Sequence, residues 1–299
     1  MTARAAPTGQ DPPTDQDPFT GPATSTGPDM PAPRLLMWDI DGTLVHTGGV
    51  AKLAYAEAFT ALTGVAWRRM PDTAGRTDRD LAAEAFTTHG LSDYEPYLEE
   101  FFLRYAAAFT ARRHLIPEQG RVLPGVAGVL AGLVGHAHVT QTLVTGNIPA
   151  VAVEKLAALG LGTGLDLDIG GYGRHDTVRA ALVRQCRERA EAKYGRHFAP
   201  ADILVIGDTV HDVVGALANG VTAVGVASGR TGVAELAAAG AQIVLTDLAD
   251  VEPVVRLLAG TDRAAVASRA VDTDRAAVAS RAVGTDRAAV AGRAVGFGG

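Results

Sequence analysis

The sequence predicts an α/β fold: a doubly wound, parallel, Rossmann-like sheet with a helical cap subdomain inserted after its first strand. Three observations carry this. Apolar runs of three to six residues recur from about 35 to 245 and alternate with segments of helical spacing. Such short runs, with little polar alternation, suit strands covered on both faces. One interval, 48–122, breaks the alternation and shows helical spacing only.

The elements follow in chain order. The first strand is Leu35-Leu36-Met37-Trp38, ending at Asp39. In 48–122, Tyr55, Phe59 and Leu62 recur at i, i+4 and i+7, and Leu98, Phe101, Tyr105 and Phe109 continue that spacing; Leu81 and Ala85 repeat it weakly. Most of the chain's aromatic residues fall there, so the cap is expected to pack its own core. Further strands are read at 142–144, more weakly at 165–170, then at 203–206, 221–226 and 242–245, with helices at 124–133, 150–159, 177–192 and 212–218. The core is therefore 34–47 with 123–260, and the cap is 48–122. Eight of the 15 prolines lie in 1–33, among Gly, Thr, Asp and Gln, which predicts a disordered head. From 261 a 12-residue unit repeats three times: TDRAAVASRAVD, TDRAAVASRAVG, TDRAAVAGRAVG. At about 100° per residue each copy turns roughly 120° past the last. No continuous apolar stripe results, and 261–299 is expected to be a low-complexity appendage.

Composition narrows the function classes. The 299 residues carry a formal net charge of -6, without the basic excess of a nucleic-acid binder. No run approaches the ~18 apolar residues of a membrane span. The single cysteine, Cys186, excludes an intrachain disulfide. With no apolar signal core at the N-terminus, a cytoplasmic location is expected.

The polar residues at the strand ends carry the chemistry. One run stops at Asp39-Ile40-Asp41-Gly42-Thr43, a second at Thr145-Gly146-Asn147, a third at Gly207-Asp208, with Asp212 four residues on. In an open parallel sheet, ligands bind beyond the carboxyl ends of the strands. An Asp-x-Asp-Gly by itself is also a turn. Several carboxylates gathered at one sheet edge repel unless a cation or proton joins them. Hard oxygen donors of this kind select Mg²⁺, whose remaining coordination positions suit phosphate.

These motifs resemble those of the haloacid dehalogenase superfamily of phosphohydrolases, over nearly the whole predicted core and cap. Asp39-Ile40-Asp41-Gly42-Thr43-Leu44 is similar to its first motif, Thr145 in Leu-Val-Thr-Gly-Asn to its second, and 207–212 to its fourth. The helical insert lies where members with a small helical cap carry theirs. The resemblance implies a phosphoglycolate phosphatase-like enzyme. Asp39 would be the nucleophile and Asp41 the acid and base. Asp39, Asp208 and Asp212, with the backbone carbonyl of Asp41, would serve Mg²⁺. Thr145, Gly146 and Asn147 would bind phosphate, although Asn147 also reads as a helix N-cap before Pro149. The third motif requires a Lys or Arg. No lysine lies in the expected interval, and Arg179 is taken, with Arg174 as the alternative. Gly75-Arg76-Thr77-Asp78 resembles a cap loop that places Arg76 over the substrate; its local reading is an N-cap at Thr77.

The expected partner is a small phosphorylated metabolite rather than nucleic acid or membrane, bound by a monomer or homodimer. A phosphomutase of the β-phosphoglucomutase type is the alternative enzyme, but such mutases carry a His where Ala51 stands. Haloacid dehalogenases lack the second aspartate. A non-catalytic binding protein is disfavoured because the carboxylates are all present. His136 with His138, His211 and Cys186 are read as structural or solvated residues.

Overall fold

The computed structural model describes residues 31–261. The expectations for the 12-residue repeat and for nearly all of the proline-rich head lie outside these residues. In chain order the strands are β1 (Arg34–Trp38), β2 (Val45–His46), β3 (Arg121–Val122), β4 (Val139–Thr145), β5 (Gly171–Tyr172), β6 (Ile203–Gly207), β7 (Thr222–Val226) and β8 (Ile243–Leu245). The α-helices are α1 (Val50–Thr63), α2 (Asp78–Thr88), α3 (Leu98–Arg112), α4 (Ile116–Gln119), α5 (Val126–Val134), α6 (Pro149–Ala158), α7 (Arg179–Tyr194), α8 (Val210–Leu217), α9 (Val233–Ala238) and α10 (Val251–Ala259).

Six strands form one parallel sheet in the order β5-β4-β1-β6-β7-β8. Successive side chains of a strand leave on opposite faces. Leu36, Trp38, Leu204, Ile206, Val224 and Val226 accordingly join α5 and α10 in one buried cluster. Leu35, Met37, Ile203, Val205 and Ala223 join α7, α8 and α9 in another. Both faces are dry, which is why these strands read as unbroken apolar runs.

Two details differ from the sequence reading. The strand expected at 165–170 is a short 3₁₀ turn, Leu167–Ile169, followed by β5. The Asp166 side chain accepts a hydrogen bond from the Asp168 N–H, a local turn that competes with extension. The antiparallel ribbon of β2 and β3 was not foreseen. Two residues per strand are too few to display a period.

Helices α1 to α4 occupy the insert and bury their own aromatic cluster. Tyr55 meets Phe101 edge-on at 4.8 Å, and Phe59 meets Phe86 at 5.1 Å. Ile148 and Val151, from the start of α6, complete that cluster, so the cap stands on the core through α6. The loop between α1 and α2 is pinned by His89, stacked on Trp67 at 5.1 Å and accepting the Arg68 N–H at 3.1 Å. No helix among the described residues is long and apolar enough to cross a membrane.

Candidate active site

The chain winds from β1 to one side through β4 and β5, then crosses back to lay β6 on the other side of β1. The carboxyl ends of β1, β4 and β6 therefore stand next to one another at the switch in strand order. Trp38 is in register with Leu143 and with Ile206. Just outward of these stand Asp39 after β1, Thr145 at the end of β4 and Asp208 after β6.

Asp39, Asp208 and Asp212 are all buried, and each offers a carboxylate oxygen within 4.8 Å of the others. Arg179, in the first turn of α7, inserts among them. Its Nη2 lies 2.6 Å from Asp39 Oδ1, its Nε donates to Asp212 Oδ1 at 2.8 Å, and its Nη2 also reaches Asp212 Oδ1. The other oxygen of Asp212 accepts from the Thr209 N–H at 3.1 Å and hydroxyl at 2.7 Å, a capping box that starts α8. Asp208 accepts from Thr43 Oγ1 at 3.0 Å. Burial, together with neighbouring carboxylates, pushes Asp39 and Asp208 well above the ordinary carboxylate range.

Asp41 faces the same cavity with its side chain 45% exposed. Its Oδ2 accepts from Asn147 Nδ2 at 2.8 Å and from Lys155 Nζ at 2.6 Å. Burial opposes ionisation here too, but the lysine's charge and the two hydrogen bonds outweigh it and hold Asp41 below its usual value. Lys155 also donates to Asn147 Oδ1 at 2.7 Å, and Asn147 Nδ2 donates to Thr145 Oγ1 at 2.7 Å. Asn147 is thus not the N-cap of α6; Ile148 holds that position without a side-chain bond.

The cap closes over this end of the sheet through backbone. Asp78 N–H donates to Gly146 O at 2.7 Å, and Arg79 N–H to Gly173 O at 3.0 Å. In return, Ile148 N–H donates to the buried Asp78 carboxylate at 2.8 Å. Burial raises Asp78 to about 7. Between cap and core lies a cavity of about 520 Å³, lined by Asp39, Asp41, Thr145, Lys155 and Arg179 from the core and by cap residues including Lys52 and Tyr105. That volume is within the range of small-molecule sites, roughly 300–1,000 Å³.

The profile of the haloacid dehalogenase-like hydrolases matches residues 36–216. The chain belongs to this family. It is similar to a phosphoglycolate phosphatase of Agrobacterium fabrum, 25% identical over 75% of this chain and 93% of that protein. It is also similar to a protein named probable phosphatase IndB of Dickeya dadantii, 30% identical over 73% of this chain and 91% of that one. Among solved structures, a hydrolase from Pseudomonas syringae shares the fold with a TM-score of 0.54, at 23% identity, covering 75% of this chain and 99% of that one.

The site of this haloacid dehalogenase-like hydrolase suits the cation its family implies. Three carboxylates meet one guanidinium, so the fully ionised cluster holds two more negative charges than positive ones. The donors are all oxygen, which fits Mg²⁺. Gly42 and Gly229 leave room beside Asp208: a Cβ would stand 2.4 Å from Oδ2 at Gly42, where φ is +90°, and 1.7 Å at Gly229. The structure separates the two arginines left open by the sequence. Arg179 reaches Asp39, whereas Arg174 pairs with Glu99 of α3 at 2.5 Å. Arg76 lines the cavity, but its guanidinium is engaged by Asp80 at 2.6 Å and Glu84 at 2.5 Å. Thr77 is the N-cap of α2. His136 and His138 lie elsewhere, His138 bonded to Ala259 O at 2.9 Å.

Lys155 is the site residue that sequence reasoning missed. A signal was present: it lies at i+4 from Val151 and i+3 from Ala152, on the buried face of α6. A lysine inside an apolar helical stripe requires a buried partner.

Proposed function

We propose that the protein is a Mg²⁺-dependent phosphomonoesterase for a small phosphorylated metabolite, acting through an aspartyl-phosphate on Asp39. The observation that supports this best is the pairing of two carboxylates at one strand end in opposite environments. Asp39 is enclosed beside Arg179 and Asp208, while Asp41 faces the cavity on a separate set of donors. The first thus stands within the carboxylate cluster suited to a cation, and the second on the cavity wall where a leaving group would lie.

In the first half-reaction a carboxylate oxygen of Asp39 bonds to phosphorus as the ester bond to the leaving oxygen breaks. Asp41 gives that oxygen its proton. In the second, Asp41 takes a proton from a water, whose oxygen bonds to phosphorus as the Asp39–phosphorus bond breaks. Arg179 balances charge on the transferring group. Thr145 and the backbone N–H groups of Gly146 and Asn147 hold phosphate oxygens at the approach to α6. Asp39 and Asp208, with the carbonyl of Asp41, would hold Mg²⁺, which supplies electrostatic neutralisation between carboxylate and phosphate. Asp212 supports them by anchoring Arg179.

The substrate class follows the relatives named phosphatases, the phosphoglycolate phosphatase among them. Lys52 lines the cap side of the cavity with no ion-pair partner among the described residues, which suits a phosphomonoester bearing a second anionic group. Ala51 also lines the cavity and offers no imidazole where the mutases have one, which favours hydrolysis over phosphoryl return. The test is hydrolysis of p-nitrophenyl phosphate with and without Mg²⁺, in the wild type and in Asp39→Asn. Turnover that survives Asp39→Asn would overturn the reading.

A further inference from the structure

The reaction needs Asp41 to present one oxygen to the leaving group, first with a proton and then without it. A carboxylate on a freely rotating side chain presents either oxygen and spends most of its time misaligned. Here both protein donors fall on the same oxygen. Asn147 Nδ2 and Lys155 Nζ bond Oδ2, at 2.8 and 2.6 Å, and Oδ1 has no partner among the described residues. Two donors on one atom fix the rotation of the carboxyl plane and leave the other oxygen to the cavity.

We infer that Lys155 is a positioning residue for the acid and base of this enzyme: it clamps Asp41 Oδ2 so that Oδ1 carries the proton to and from the reacting oxygen. This rests on the phosphatase reading above. Lys155 makes two side-chain hydrogen bonds, the first to Asp41 Oδ2. Its second bond, to Asn147 Oδ1 at 2.7 Å, orients the Asn147 amide so that the NH₂ points at Asp41 and Thr145. One ammonium therefore sets both donors of the clamp. The lysine is well suited to this because its side chain is only 3% exposed and rises from a helix packed between the sheet and the cap. Neither its position nor its direction depends on a flexible loop.

The sites around it leave few other tasks. Arg179 already stands beside the nucleophile, so Lys155 is not needed as the cation of the third motif. Lys155 and Arg179 approach different carboxylates from different helices, α6 and α7. The division predicts different kinetic signatures for the two.

A positioning role through Asp41 makes a prediction that a merely structural role does not. Protonation of the leaving oxygen matters greatly for an alkoxide and little for p-nitrophenolate. The measurement is kcat/KM, which reports transfer to Asp39, on p-nitrophenyl phosphate and on glycerol phosphate, with saturating Mg²⁺. Lys155→Met is expected to lose about 100-fold on glycerol phosphate and no more than about tenfold on p-nitrophenyl phosphate, the range of a misplaced general acid. Asp41→Asn should show the same skew. In the Asp41→Asn background, Lys155→Met should cost no more than about threefold on either substrate, because residues acting as a unit are not additive.

Equal losses on both esters, or losses that add to those of Asp41→Asn, would overturn the inference. Should Lys155→Met not fold, Lys155→Arg carries the test. Its guanidinium keeps the charge but not the paired spacing to Asp41 and Asn147, so the same skew is expected at about tenfold, and equal losses again overturn it. A wild type that hydrolyses neither ester would instead remove the phosphatase reading itself.

Discussion

Replacing Gly146 by Ala measures how closely the cap is docked to the loop after β4, the loop proposed to hold phosphate. A Cβ at this position would stand 1.9 Å from Arg76 O and 2.8 Å from Arg76 C, whereas real Cβ atoms stay at least 3.0 Å away. Nothing flexible can yield, because the obstacle is backbone of the cap and the methyl group is carried on backbone of the core. The cap loop must retreat by about 1 Å, the difference between contact and clash. That retreat stretches the Asp78 N–H bond to Gly146 O, now 2.7 Å, and the Ile148 N–H bond to the Asp78 carboxylate, now 2.8 Å. Overpacking costs about 1–3 kcal/mol and each of the two weakened bonds about 0.5–1.5, so a total of roughly 2–6 kcal/mol is expected. For a body of this size, at about 3 °C per kcal/mol, that lowers Tm by roughly 6–18 °C. Displacing the loop by about 1 Å also costs on the order of 100-fold in activity. Calorimetry and kcat/KM on p-nitrophenyl phosphate read both effects. Gly232→Ala, where a Cβ meets nothing within 4 Å, is the control and should cost less than about 1 kcal/mol. A Gly146→Ala protein with wild-type Tm and wild-type kcat/KM would refute the docked geometry.

Other perturbations address single groups. Asp39→Asn should lower kcat by at least about 10⁴-fold, and chelation of divalent cations should abolish turnover until Mg²⁺ is restored. Asp78 has a folded pKa of about 7 against an ordinary carboxylate value of 3.8, so the folded state binds more protons between these limits. Its contribution to stability is full below about 4 and is lost as pH rises through about 7. The Tm of the Mg²⁺-free protein should therefore fall between pH 5 and pH 8, and fall less in Asp78→Asn, which retains an acceptor for Ile148; equal slopes would contradict the burial of that charge. Lys52→Met should raise KM by about fivefold for a phosphomonoester with a carboxylate tail, the scale of one partly exposed ion pair. An equal rise for an ester with an uncharged tail would show that Lys52 does not read the second anion.

Much of the site was legible because parallel strands with covered faces make their carboxyl ends converge. Asp39, Thr145 and Asp208 each follow an apolar run, and the strand order then brings those runs together. The aromatic spacing of 48–122 likewise placed these rings on one face of each helix, since i, i+4 and i+7 lie together, and they pack in one cluster with Ile148 and Val151. The short elements were not legible. Val45–His46 and Arg121–Val122 carry no period, and the turn at Leu167–Ile169 is set by the Asp166 side chain.

The sequence by itself therefore determined which carboxylates meet, because strand direction and face coverage follow from local pattern. Only the tertiary structure decided which cation serves which carboxylate. Arg174 and Arg179 are five residues apart, yet one reaches Glu99 of the cap and the other Asp39 of the core. Arg76 turns to Asp80 and Glu84, and Lys155 turns inward to Asp41, 114 residues away in the chain. Long charged side chains choose partners by the rotation and separation of the elements that carry them, and neither quantity is encoded within one turn of a helix.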